Sequence, residues 1–107
     1  MFAATPEPPY VAVIFTNRRS GEDDTGYVAM AAAMEEQAAA QPGYLGIESA
    51  RTAQGLGITV SYWTTDDAAR AWKQVAEHLG AQRLGRERWY DGYVTRVATV
   101  ERDYAWP

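Results

Sequence analysis

A run of apolar and β-branched positions opens at Tyr10, and Tyr10–Asn17 reads as a mostly buried first strand. The polar stretch Arg18–Thr25, with Gly21 and consecutive acids at Glu22–Asp24, follows as a solvated surface loop. From Gly26 to Gln41 the spacing becomes helical. Val28, Ala31, Ala32, Met34, Glu35 and Ala38 mark successive turns, and the alanines suit close packing on a sheet. Gln41-Pro42-Gly43-Tyr44 ends that helix. Two extended segments, Tyr44–Thr52 and Gly57–Thr64, flank a turn at Ala53–Leu56 and predict a hairpin. Thr65 or Asp66 caps a second helix running to about Gly80, with Asp66 and Asp67 where a helix N-terminus favours negative charge. Gly80–Arg88 reads as a continued or broken helix, Tyr90-Asp91-Gly92 as a turn, and Tyr93–Glu101 as the last strand. Three prolines make residues 1–9 a loose arm, residues 103–107 form a tail, and one domain spans 10–102.

This β-α-β-β-α-β order predicts a ferredoxin-like α+β fold: a four-stranded antiparallel sheet with both helices on one face. On the third strand Ile58, Val60 and Tyr62 alternate against Thr59, Ser61 and Trp63. On the last, Tyr93, Thr95, Val97 and Thr99 alternate against Val94, Arg96, Ala98 and Val100. Both sheet faces therefore carry apolar or aromatic groups. A face left open by the helices is most simply covered by a second copy, which predicts a symmetric homodimer.

Composition narrows the chemistry. With no cysteine and one histidine in 107 residues, a disulfide framework, a thiolate nucleophile and a single-chain zinc or iron cage are all disfavoured, so no metal is expected. A net charge of −4 with dispersed arginines lacks the basic patch that nucleic acid requires. The Pro-rich start, which contains Glu7 and no basic run, does not read as a signal peptide, and no apolar run is long enough to span a membrane. A cytoplasmic protein is the expectation.

Several segments together carry a family resemblance: Ala12–Asn17, Gln41-Pro-Gly-Tyr-Leu-Gly46, Ile58–Trp63, Ala71-Trp-Lys73 and Arg86–Tyr90. Over roughly 10–102 the chain resembles the antibiotic biosynthesis monooxygenase family of dimeric α+β barrels. The resemblance implies two sheets joined as a barrel, with one pocket per subunit between sheet and helices. Some members oxidise aromatic polyketides with oxygen and neither metal nor flavin; others degrade heme.

A cofactor-independent reaction would need a small apolar aromatic or quinone-like ligand, a dry cavity and a group to stabilise an anion. Asn17 can donate to a substrate carbonyl or serve the turn before Arg18. Trp72 can wall the pocket, anchor the core, or do both. Trp63 and Tyr62, on opposite faces of one strand, are candidate substrate contacts, as are Arg83 and Trp89 at a pocket mouth. His78 is the one side chain that titrates near neutrality unperturbed, hence a candidate base, although it falls about 120° around the helix from Trp72. Heme-degrading relatives pair a first-strand Asn and a helical Trp with a His ten residues beyond that Trp. Asn17 and Trp72 match, but Gln82 stands at the third position and His78 falls four residues short of it. The expectation is thus a cofactor-free monooxygenase with Asn17, Trp72 and His78 as its working residues. The alternatives are a non-catalytic, ligand-sequestering or stress-associated barrel, and a heme-binding protein.

Overall fold

A computed structural model describes residues 2–107, and within them every side chain except those of Ala81 and Gln82, so Met1 and the Gln82 side chain lie outside the described residues. The elements follow the expected order: β1 (Tyr10–Arg19), α1 (Asp24–Ala39), β2 (Tyr44–Arg51), β3 (Leu56–Trp63), α2 (Asp66–His78), a short α3 (Ala81–Leu84), a single π-helical turn (Gly85–Trp89) and β4 (Tyr90–Val100). The strands form one antiparallel sheet in the order β2-β3-β1-β4. This is the ferredoxin-like arrangement.

Local chemistry sets where each element starts and stops. Helix α1 begins two residues ahead of Gly26, because Asp23 adopts a left-handed conformation and its carboxylate accepts from the Gly26 N–H at 3.2 Å. At α2 the cap is Thr65, whose hydroxyl accepts from the Ala68 N–H at 3.1 Å. Gly80, with φ of 75°, breaks the second helix in a conformation that disfavours side chains. The Tyr90-Asp91-Gly92 signal is a bulge rather than a turn. Arg18 pairs with Gly92 and Arg19 with Tyr90, so Asp91 is the extra residue within β4.

The core sits at one end of the helix-covered face. Trp63 is completely buried there, stacked on Trp72 with ring centroids 6.0 Å apart and met edge-on by Tyr44 at 5.6 Å. Val11, Ala38 and Ala69 close around it, and the Trp63 indole N–H donates to the Ser61 hydroxyl at 2.9 Å.

Both chain ends lie across the opposite face. Tyr10 donates to Asp103 at 2.7 Å and accepts from Thr5, while Glu48 accepts from the Tyr62 hydroxyl at 2.7 Å and from the Ala3 N–H at 2.9 Å. Farther along that face Leu56, Ile58 and Val94 remain exposed. No described helix is long and apolar enough to cross a membrane.

Candidate active site

Helix α2 packs on β1 and β3 and helix α1 on β2, and a hollow remains between the two helices and the sheet. The resulting cavity holds about 350 Å³. An engineered cavity of about 150 Å³ accommodates benzene, so this one has room for more than one aromatic ring. Its floor is built from alternating residues of all four strands, Val13 and Phe15 of β1, Ile47 and Ser49 of β2, Thr59 and Ser61 of β3, and Tyr93, Thr95 and Val97 of β4. Met30 and Met34 of α1 and Trp72 and Ala76 of α2 form the roof. Four exposed charged residues, Glu35, Asp66, Arg70 and Lys73, stand at its edge, and Arg70 pairs with Asp66 at 2.6 Å.

An aromatic cluster closes the far end. Tyr27 meets Trp89 and Tyr90 edge-on at 6.0 and 5.8 Å, and Phe15 lies 5.3 Å from both Tyr90 and Tyr93. Trp89 is fixed by its indole N–H, which donates to Asp23 at 3.2 Å, and by its carbonyl, which accepts from Arg19 at 2.5 Å. Arg19 also pairs with Asp24 and lays its guanidinium 4.0 Å from the centre of the Tyr27 ring. Burial, with neighbouring Tyr27 adding to it, holds the Tyr90 phenol proton on far above the ordinary range.

The structure separates the residues singled out by sequence. Trp72 and Trp89 line the cavity. Trp63 lies behind Trp72 as its stacking partner and is not itself a wall residue. Asn17 is 2% exposed and sits behind the aromatic end, its carbonyl accepting from Arg51 at 2.7 Å. Tyr62 is on the opposite face of the sheet, where burial and then the bond to Glu48 push its pKa up to about 12. His78 and Arg83 are both exposed and outside the lining; α2 turns His78 away from Trp72, and Arg83 reaches Glu87 at 3.4 Å instead. Asn17, Trp72 and His78 therefore do not share one cavity.

Tyr27, Tyr90 and Tyr93, which the sequence offers as possible proton donors with no reason to prefer one, line the cavity together with Met30, which it did not select. Tyr27, Met30, Ala31 and Met34 recur at helical spacing; the sequence marked Ala31 and Met34 on that face but set Val28 beside them, and Val28 is 64% exposed. The lining offers no imidazole among the described residues, and the chain's only histidine is outside it, so the cavity does not fit the His-ligated heme of the heme-degrading branch.

The comparisons agree with this architecture. The family model described as antibiotic biosynthesis monooxygenase matches residues 9–84. The uncharacterized protein YqjZ of Bacillus subtilis strain 168 is 54% identical over 98 residues, covering 92% of this chain and 85% of that protein. Among solved structures, Rv0793 from Mycobacterium tuberculosis superposes with a TM-score of 0.74 at 17% identity, covering 91% of this chain and 99% of that one. SnoaB from Streptomyces nogalater, described as a cofactor-independent oxygenase, gives a TM-score of 0.70 at 16% identity, covering 94% of this chain and 99% of that one. The two structural likenesses concern the fold. The family-model match and the identity to YqjZ go further: this chain belongs to the antibiotic biosynthesis monooxygenase family.

Proposed function

We propose that the protein is a cofactor-independent monooxygenase that oxidises a small aromatic or quinone-like molecule in the cavity between sheet and helices. One observation carries the reading: a hollow of about 350 Å³ walled by Phe15, Tyr27, Trp72, Trp89, Tyr90 and Tyr93, with phenolic hydroxyls at its closed end. Such walls favour a flat, apolar ring system, and the hydroxyls can meet its oxygen substituents. The substrate supplies all the electrons. A ring CH2 conjugated through the ring with a carbonyl or phenol loses a proton, and the resulting anion passes one electron to oxygen. The radical pair combines as a peroxide at that carbon, and loss of water leaves a new carbonyl. One oxygen atom ends in the product and the other in water. The protein's part is to stabilise the anion and exclude solvent. In this reading Trp72 and Trp89 shape the cavity, Asn17 acts from behind its wall, and His78 takes no part.

A homodimer through the sheet face opposite the helices belongs to the same proposal, supported by exposed Leu56, Ile58 and Val94 on that face. The non-catalytic alternative, a barrel that sequesters its ligand, is favoured by the lack of a lining histidine among the described residues. Incubation with anthrone under labelled dioxygen separates the two. Label in the product carbonyl supports the oxygenase. Tight binding with turnover no faster than in buffer supports sequestration.

A further inference from the structure

Behind the aromatic end of the cavity Arg51, the last residue of β2, folds its guanidinium back across β3. Its Nη1 donates to the Gly55 carbonyl at 2.6 Å, and its Nη2 donates to Asn17 Oδ1 at 2.7 Å and to the Tyr27 hydroxyl oxygen at 3.0 Å. The space it occupies is made by one missing side chain. A Cβ on Gly57 would stand 2.6 Å from the guanidinium carbon. Gly57 pairs with Asn17 on one side and with Arg51 on the other, so the slot opens where three strands meet. A slot, a buried carboxamide and a loop carbonyl thus hold a single cation against a single phenol.

The consequence lies in the direction of a proton. Arginine has donors only, so the Tyr27 oxygen must accept, and the Tyr27 hydrogen leaves away from Arg51, where it has the cavity and the neighbouring Tyr90 phenol to meet. The ring is held as firmly as the hydroxyl, with Arg19 over its face and Trp89 and Tyr90 at its edges. Tyr27 lines the cavity, whereas Asn17 and Arg51 do not. A hydroxyl that accepts a charge-assisted bond is polarised into a stronger donor, because bonds in a chain reinforce one another.

We propose that Tyr27 is the hydrogen-bond donor that recognises an oxygen atom on the cavity's aromatic ligand, and that Asn17 and Arg51, seated in the Gly57 slot, are the positioning residues that aim it. The assignment rests on the cavity binding an aromatic molecule, and it deepens that reading by specifying a ligand with a carbonyl or phenolate oxygen at its inner end. In an oxygenase the same donor would meet the charge that develops when the ligand is deprotonated. The hydrogen bond to carbonyl oxygen that the sequence suggested for Asn17 passes to Tyr27, with Asn17 acting through Arg51.

Fluorenone and fluorene, planar tricyclic molecules that differ by one carbonyl oxygen, provide the test. Binding is read by quenching of Trp72 and Trp89 emission, and the hydrogen bond by the infrared carbonyl stretch of bound fluorenone. Tyr27→Phe keeps the ring and should weaken fluorenone about tenfold while changing fluorene less than about twofold, the scale of one hydrogen bond. The carbonyl band should move toward its position in apolar solvent. Arg51→Met should reduce the preference for fluorenone about threefold and shift the band partway, with Arg51→Lys recovering part of both. If Tyr27→Phe leaves fluorenone affinity and the carbonyl band unchanged, or if Tyr90→Phe rather than Tyr27→Phe removes the preference, the assignment is overturned. Wild-type protein that binds both molecules equally overturns the donor alone. Protein that binds neither overturns the aromatic-ligand reading as well.

Discussion

Replacing Gly57 by alanine is the sharpest perturbation of the slot. The φ of Gly57 lies outside the left-handed region, so alanine meets no backbone strain there, and in a strand it should be favoured over glycine by about 0.5–1 kcal/mol. What the new Cβ meets is the far end of a flexible side chain, with guanidinium atoms 2.6–2.8 Å away. The strand therefore stays in place and Arg51 is pushed out. Asn17, 2% exposed, then loses the donor to its carbonyl, which costs about 1–3 kcal/mol. The balance is a net destabilisation of about 1 kcal/mol, read as a lower urea midpoint at unchanged slope. The decisive measurement is the cycle with Arg51→Ala. With no guanidinium in the slot, Gly57→Ala should reverse sign and stabilise by about 0.5–1 kcal/mol, giving a coupling of about 1.5–2 kcal/mol between the two positions. An equal effect of Gly57→Ala in both backgrounds would refute the reasoning, as would stabilisation in the wild-type background.

Trp72→Ala removes both the cavity roof and the stacking partner of Trp63. It should cost about 2–4 kcal/mol in urea unfolding, and it should abolish the coupled-indole signal in circular dichroism, which Trp72→Phe does as well at a smaller loss of stability. The Glu48 carboxyl is held below its ordinary value of 4.5 by the Tyr62 hydroxyl and then by the Ala3 N–H. A depressed native pKa gives stability that is present above the unfolded value and disappears as pH falls through the native one. Glu48→Gln should therefore flatten the fall in urea midpoint between about pH 6 and about pH 3, and an unchanged slope would count against this contact. Ile58→Glu places a charge on the exposed sheet face opposite the helices, and light scattering at micromolar concentration should report half the wild-type mass.

Much of the architecture was legible because each element carries its own local signal. Alternation identified three of the four strands to within a residue or two of either end, and Thr65 announced the start of α2. The misreadings arose where a local signal had two physical solutions. Asp23 sat inside an acidic run that reads as solvated loop, yet one of those carboxylates caps a helix. Tyr90-Asp91-Gly92 has turn chemistry, but a bulge accommodates the same residues once β1 pairs alongside. Helix α1 gave the least guidance, since alanines surround it and no single face stands out. The inward face is set by Tyr27 and Met30, and Val28 on the other side is exposed.

The candidate site resists reading from sequence for a different reason: its parts meet only through strand register. Asn17 is 34 residues from Arg51, and although Arg51 and Gly57 face each other across a hairpin turn, nothing beside either marks it. Shifting the β2–β3 pairing by one residue would turn Arg51 to the other face and leave Gly57 an ordinary strand glycine. Selecting residues by their chemistry therefore favoured His78, because imidazole is the usual general base, over Arg51 and Tyr27, which are chemically unremarkable until a slot and a proton direction make them specific. The strand–helix segment from Gly57 to His78 gives the cavity Thr59, Ser61 and Trp72 and gives the slot behind it Gly57, while the histidine that ends the segment belongs to neither. Variation at the position of Gly57 in related chains should accordingly track variation at that of Arg51. A relative with a bulky residue in the slot and an arginine still at the end of β2 must direct that arginine elsewhere, and its Tyr27 equivalent loses a fixed proton direction.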